Sequence, residues 1–340
     1  MPLQGRRSGR GMDMKIVFTE VMGAKERLRE AFPDDDIAMF EGPLDRDDLI
    51  HEAEGASVIS IFIRTKIDRD IIDSLPDLKL ISTRSVGFDH IDVEHAAEKG
   101  IAVTHVPEYG PHVVAEHAFC LLLACARNLV EADRSVKEGK RFDFHPFRGL
   151  ELKDKTLGVI GTGKIGSEAV RIAQGFGMRV LAFDMYPNEE LARRYGFSYH
   201  PLEEVLEGSD FVTIHLPLTD DTRGLFDRKA LESMRPGSIL INTSRGSIVD
   251  EHALRDVLDS GHLHAAGLDV IEDEEHPEND PLFDSDRATI TPHIGFFTGE
   301  AIDRMLGRSI DAIKSYRSGR IVDRVPGEYV NTIRASSRSG

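Results

Sequence analysis

Three side chains that follow apolar runs have the chemistry to work together on a small carboxylic acid. Arg245 comes after the apolar run 239–241 in INTSRGSIVD, and a guanidinium can clamp a carboxylate through two parallel hydrogen bonds. Asp269 closes the run in AAGLDVIEDEEHP and is followed by Glu272, Asp273, Glu274 and Glu275. His293 stands between Pro292 and an apolar stretch in TPHIGFFTGE. Beside a carboxylate from a neighbouring loop, an imidazole in such a place can hold a proton and release it near neutral pH. Each group also has a plainer reading: a surface ion pair for Arg245, a solvated loop for most of the acid run, a structural role for His293. The residues alone leave open which carboxylate the histidine would meet.

These groups need a reaction partner, and the stretch 156–184, TLGVIGTGKIGSEAVRIAQGFGMRVLAFD, supplies the means to bind one. Leu157, Val159 and Ile160 form a short apolar run suited to a buried parallel strand. The turn after it, Gly161-Thr162-Gly163-Lys164-Ile165-Gly166, lets the backbone bend sharply and approach a pyrophosphate, with a helix N-terminus pointing N–H groups at the phosphates. Ala169, Val170, Ile172, Ala173 and Phe176 recur at helical spacing until Gly177 ends the helix. A second strand, 179–183, carries Asp184 at its end, eighteen residues past Gly166. A carboxylate there accepts from both ribose hydroxyls and repels a 2′-phosphate, so the expected cofactor is NAD rather than NADP.

The rest of the chain reads as the frame for this unit. Between residues 15 and 106, apolar runs at 15–19, 37–40, 57–62, 79–82 and 101–106 alternate with helical candidates at 24–31, 47–54, 69–74 and 92–99. That alternation predicts a parallel sheet covered on both faces. Pro107, Gly110 and Pro111 then break the chain before an apolar helix over 113–126, expected to pack between domains or subunits and so to carry a homodimer. Residues 129–150 read as polar with scattered aromatics. After Asp184 the strands 211–215, 238–242, 265–270 and 288–290 alternate with helices 201–206, 227–233 and 251–259, and a last amphipathic helix begins at 299.

With 340 residues, two domains are the natural expectation. The 42 basic and 59 acidic side chains give a net charge of −17, which argues against nucleic acid or an anionic membrane as partner. Cys120 and Cys125 sit five apart in an apolar helical run and read as reduced core thiols; no metal-ligand spacing occurs. No apolar run reaches a membrane span and the N-terminus lacks a signal-type hydrophobic region, so a soluble, cytoplasmic protein is expected. Residues 1–13 read as a polar, disordered tail and 331–340 as a polar tail.

Taken in order, GTGKIG with Asp184, NTSRG, GLDV with a glutamate five residues past its aspartate, and TPHIG resemble the D-isomer-specific 2-hydroxyacid dehydrogenase family over nearly the whole folded chain. The resemblance implies an α/β protein of two Rossmann-like, doubly wound parallel-sheet domains with a cleft between them. Residues 14–110 plus 299–330 would form the substrate domain, 111–298 the NAD-binding domain, and VPEYG and TPHIG the hinges. It implies Arg245, Glu274 and His293 as catalytic residues, with Glu275 as the neighbouring alternative carboxylate. Pro217, Thr243 and Asp269 join the glycine turn and Asp184 as cofactor-binding residues. SVGFDHID resembles the family's carboxylate loop, so Ser85, Val86 and Gly87 would offer N–H groups to the substrate. VPEYG and HIGFFT look like the D-lactate dehydrogenase branch, pointing Tyr109 and Phe296 at the substrate, although Phe297 stands where that branch often has tyrosine. The implied reaction is reduction of a short 2-oxo acid, pyruvate first, by NADH. The alternatives are a glyoxylate or hydroxypyruvate reductase, or an NAD-sensing scaffold like the corepressors that share this fold. Glu274 argues against the formate dehydrogenase branch, which has an amide in its place, and the chain's end argues against a phosphoglycerate dehydrogenase with a regulatory domain.

Overall fold

The computed structural model describes residues 14–325, so the tail at 331–340 and residues 1–13 lie outside the described residues. The chain divides into two compact units: one runs to Tyr109 and resumes at Gly299, and the other is Gly110–Thr298.

In the first unit, strands β1 (Lys15–Phe18), β2 (Asp36–Met39), β3 (Val58–Ile61), β4 (Leu80–Thr83) and β5 (Ala102–Thr104) alternate with helices α1 (Lys25–Ala31), α2 (Arg46–Glu52), α3 (Arg69–Ser74) and α4 (Val93–Glu98). They pair in parallel in the order β2-β1-β3-β4-β5. Alternation along each strand divides the core. Ile16, Phe18, Val58 and Leu80 join Leu306, Ile310 and Ile313 of the returning helix Gly299–Arg317 on one face. Val17, Ile59, Ile61 and Ile81 meet Leu49, Ile71, Ile72 and Ala96 on the other. Asp45, Asp68 and Asp92 cap three of the short helices by accepting from the N–H of Asp48, Ile71 and His95. Such caps contribute about 1 kcal/mol each, which matters for helices of six or seven residues.

The second unit opens with α5 (Pro111–Ala126) and α6 (Leu129–Lys137) and continues through β6 (Thr156–Ile160), α7 (Lys164–Gly175), β7 (Arg179–Phe183), α8 (Glu189–Tyr195), β8 (Ser198–Tyr199) and α9 (Leu202–Gly208). Then come β9 (Phe211–Ile214), α10 (Arg228–Ser233), β10 (Ile239–Asn242), α11 (Glu251–Asp259), β11 (Ala265–Leu268) and β12 (Ala288–Ile290), before α12 (Gly299–Arg317) returns to the first unit. All seven strands are parallel, in the order β12-β11-β10-β9-β6-β7-β8. The chain reverses its direction of winding between β6 and β9, which is where ligands gather in such sheets.

Three expectations need correction. The apolar helix α5 buries Val113, Ala115, Ala118, Phe119, Leu121 and Leu122 against the sheet and α7 of its own unit, so its apolarity does not call for a second subunit. Cys125 is buried, and burial pushes its thiol up to about 11, but Cys120 is exposed rather than in the core. Residues 129–137, read only as polar with no element assigned, form α6, none of whose residues is buried; α8 and the two-residue β8 were also not anticipated. Among the described residues, no single helix is long and apolar enough to cross a membrane.

Candidate active site

The parallel register of the second sheet puts the site residues on one line. Ile160 is level with Phe183 and Ile214, Ile214 with Asn242, Asn242 with Leu268, and Leu268 with Ile290. One step beyond each lie Gly161, Asp184, His215, Thr243, Asp269 and Thr291, all at the carboxyl edge of the sheet. Sequence-distant residues thus become neighbours because six strands end together.

At the β6 end the glycines are required by space. Gly161 has φ +91°, and a Cβ on Gly166 would lie 1.9 Å from the Gly161 carbonyl oxygen. Nothing lies within 4 Å of a Cβ built on Gly163, so the turn is open on that side. α7 starts at Lys164, with Gly166, Ala169, Val170 and Ala173 on its buried stripe. Asp184 accepts from the Thr162 N–H at 2.7 Å, the Thr162 hydroxyl at 3.0 Å and the Tyr186 N–H at 2.9 Å, which fixes its carboxylate beside the turn. Tyr199 of β8 adds a support that the sequence did not signal: its hydroxyl is 2.7 Å from the Thr162 hydroxyl and accepts from the Asn188 N–H. At the end of β9, His215 pairs with the Thr213 hydroxyl at 3.0 Å; burial pushes it down to about 4 and keeps it neutral. Pro217 follows on the exposed side of that strand end.

The loop after β10 carries Thr243 and Arg245. Asn242 donates to the Arg245 carbonyl at 2.9 Å, Ser244 donates its hydroxyl to Ile214, and the Arg245 guanidinium reaches the Ser244 carbonyl at 2.8 Å. Gly246 is pressed onto the next loop, since a Cβ there would be 2.0 Å from the Ile271 carbonyl carbon. That contact sets the arginine loop against the acid loop 271–275. The Thr243 hydroxyl is buried without a hydrogen-bond partner among the described residues.

His293 has φ +52°, the left-handed region that histidine tolerates better than most side chains. Its Nδ1 is 3.0 Å from both carboxylate oxygens of Glu274. Glu274 rather than Glu275 is therefore the carboxylate on the histidine. Phe296 packs edge-on to the His293 ring, centroids 6.2 Å apart, and Phe297 is exposed. Asp269 is 2% exposed and faces away from solvent into the 291–295 turn. Burial alone would raise its pKa. Donation by His117, the Thr291 hydroxyl and the N–H groups of Ile294 and Gly295 overcomes this and holds it below the ordinary carboxylate range.

The remaining predicted residues belong to the first unit. Ser85 is buried, its hydroxyl donating to the Gly87 carbonyl at 2.6 Å, and His105 holds the Val86 carbonyl through Nδ1 at 2.8 Å. The Tyr109 carbonyl accepts from Arg304 of α12. Behind this loop lies a buried charge that was not singled out from sequence. Arg84 donates to the Ser60 hydroxyl at 2.7 Å and to the carbonyls of Thr19 and Glu20, and burial lowers its pKa to about 10 against the opposing pull of Glu20. A charge directly after the apolar strand LIST was the available signal.

The glycine turn, the ordered Asp184 carboxylate and the buried, unpaired Thr243 hydroxyl suit a dinucleotide lying along this edge. A guanidinium, a carboxylate-bound imidazole and that cofactor together can bind an acid, polarise its carbonyl and exchange a proton.

Residues 119–295 match the model of the D-isomer specific 2-hydroxyacid dehydrogenase, NAD binding domain. A glyoxylate reductase of Korarchaeum cryptofilum is 36% identical over 302 residues, 88% of this chain and 91% of that protein. A D-3-phosphoglycerate dehydrogenase of Methanocaldococcus jannaschii is 39% identical over 284 residues, 83% of this chain but 54% of that longer protein. The crystal structure of D-lactate dehydrogenase from Aquifex aeolicus complexed with NAD and lactic acid superposes with a TM-score of 0.81 at 34% identity, covering 89% of this chain and 96% of that one. The chain belongs to the D-isomer specific 2-hydroxyacid dehydrogenase family. It is an NAD-dependent oxidoreductase acting on 2-hydroxy and 2-oxo acids.

Proposed function

We propose that the protein reduces a short 2-oxo acid to its D-2-hydroxy acid, with pyruvate and D-lactate as the preferred pair. NADH, when bound, supplies the hydride. Arg245 binds the substrate carboxylate and polarises the keto oxygen, and the N–H groups of Ser85, Val86 and Gly87 are further donors to the carboxylate. His293 gives the proton to the keto oxygen from Nε2, because Nδ1 is committed to Glu274. Glu274 orients the ring and stabilises its charged form until the proton leaves. Gly161, Thr162, Gly163, Lys164, Ile165 and Gly166 hold the pyrophosphate, Asp184 the ribose, and Pro217, Thr243 and Asp269 the nicotinamide end. Tyr109 and Phe296 border the substrate.

The observation that carries this reading is the symmetric 3.0 Å contact of His293 Nδ1 with Glu274, on the sheet edge from which Arg245 emerges. The preference for pyruvate is supported by the likeness to the D-lactate dehydrogenase of Aquifex aeolicus and by the sequences VPEYG and HIGFFT. A second reading, glyoxylate or hydroxypyruvate reduction, is supported by relatives named glyoxylate reductase. Rates with a panel of 2-oxo acids, each with NADH and with NADPH, followed by chiral analysis of the product, decide between them. Pyruvate with NADH should give the highest kcat/KM and D-lactate as product. A tenfold preference for glyoxylate, whose product glycolate is achiral, would establish the second reading, and L-lactate from pyruvate would overturn the first.

A further inference from the structure

His117 is the one histidine of the apolar helix α5 that reaches the turn carrying His293. Its Nε2 lies 3.0 Å from the Thr291 hydroxyl and 3.2 Å from Asp269 Oδ1. The Thr291 hydroxyl in turn donates to the same Asp269 oxygen at 2.5 Å. With that proton spent, the Thr291 oxygen can only accept, so the Nε2–H of His117 is shared between the Thr291 oxygen and Asp269 Oδ1.

Asp269 passes the constraint on to the backbone on either side of His293. Its Oδ1 accepts the Ile294 N–H at 2.9 Å and its Oδ2 the Gly295 N–H at 2.7 Å, while its main-chain carbonyl accepts the His293 N–H at 2.9 Å. Three consecutive N–H groups are thus tied to one aspartate, and that bonding keeps His293 in its left-handed conformation. The fit is close: a Cβ on Gly295 would stand 2.8 Å from Asp269 Oδ2 and 3.4 Å from His117 Cδ2.

We infer that His117 is a positioning residue for the proton donor, locking the Asp269–Thr291 clamp that sets where the His293 ring stands. Its side chain lies mostly under the turn at 16% exposure, and its bonds go to the residues that shape that turn. The inference rests on His293 acting as proton donor, and its test separates the two ideas by including a readout taken without cofactor.

The full chain is compared with His117→Gln, whose amide retains an N–H near the position of Nε2, and with His117→Leu, which retains bulk only. In the cofactor-free protein, amide hydrogen exchange at Ile294 and Gly295 should speed up at least tenfold in the leucine variant and stay within threefold of wild type in the glutamine variant. With NADH and the best 2-oxo acid, kcat should fall at least tenfold for leucine and recover to within threefold for glutamine, with the KM for NADH changing less than kcat. Thr291→Val, which removes the hydroxyl shared by His117 and Asp269, should move exchange and kcat in the same direction as the leucine variant and serves if the leucine variant does not fold. Unchanged exchange at 294–295 in both the leucine and valine variants overturns the inference, as does equal loss in the leucine and glutamine variants. A wild-type protein that reduces no 2-oxo acid while the exchange pattern holds would overturn the functional reading and leave the clamp in place.

Discussion

Nδ1 of His293 sits equidistant, at 3.0 Å, from the two carboxylate oxygens of Glu274, nineteen residues earlier in the chain. The ring is thereby oriented with Nε2 left to exchange a proton. Replacing His293 by alanine should lower kcat by about a hundredfold to ten-thousandfold, the range that a positioned acid contributes. The Kd for NADH should stay within about threefold, since in the proposed role the imidazole serves the proton rather than the dinucleotide. Steady-state rates and a fluorescence titration with NADH check this, and parallel loss of both quantities would sink the proton-donor role. Glu274→Gln should reduce kcat in the same direction, because an amide no longer stabilises the imidazolium.

Arg245 is held by its own loop, with its main-chain carbonyl bound by Asn242 and its guanidinium touching the Ser244 carbonyl. A lysine at this position keeps the charge and loses the planar fork. Losing one charge-assisted hydrogen bond costs roughly 1.5–3 kcal/mol, so kcat/KM for the 2-oxo acid should fall by about 10- to 150-fold in Arg245→Lys. Most of the change should appear in the KM of the acid. A KM that does not move would show that the substrate carboxylate is held elsewhere.

Asp184 is held by Thr162 and Tyr186, so its charge stands in a fixed place at the β7 end. Asp184→Ala combined with Met185→Arg should replace repulsion of a 2′-phosphate by attraction. The ratio of kcat/KM for NADPH to that for NADH should rise at least a hundredfold, read from initial rates at fixed 2-oxo acid. A ratio that stays put would mean the ribose is recognised by other groups.

Much of this arrangement was legible in the sequence because its signals are local. The glycines of 161–166, the apolar strand before them and the acid at 184 fall within one βαβ unit, where spacing alone fixes geometry. The order of Arg245, Glu274 and His293 could be read, but not the identity of the histidine's partner. Glu274 and Glu275 are adjacent and chemically alike, and only the course of the loop, fixed by Gly246 against Ile271, turns one of them toward the ring. His117, Thr291 and Tyr199 went unread for a similar reason. Each works through a hydrogen bond to a residue 22 to 174 positions away, and nothing in the neighbouring sequence announces it. Helix α5 misled in the other direction: an apolar run shows that something must cover it, not what, and the cover is its own sheet and α7.

The acid loop also contains a device for pH-dependent stability. Glu251, at the start of α11, is 8% exposed and accepts the Glu272 N–H at 2.6 Å, two residues before Glu274. Burial, then the nearby charge of Asp280, raises its pKa from 4.5 to about 7, despite the hydrogen bond from Glu272, which pulls the other way. At low pH the folded and unfolded chains both carry the proton and nothing distinguishes them. As pH rises from the unfolded value toward 7, the unfolded chain ionises while the folded one retains its proton, so stability falls across that window and levels off above it. At 1.36 kcal/mol per unit the loss amounts to about 3 kcal/mol. Glu251→Gln keeps the carbonyl that Glu272 needs and never ionises. Its Tm should exceed that of wild type by a few degrees at pH 8 and differ little at pH 5. Thermal melts at the two pH values read this directly, and an equal offset at both would show that Glu251 does not titrate in the folded protein.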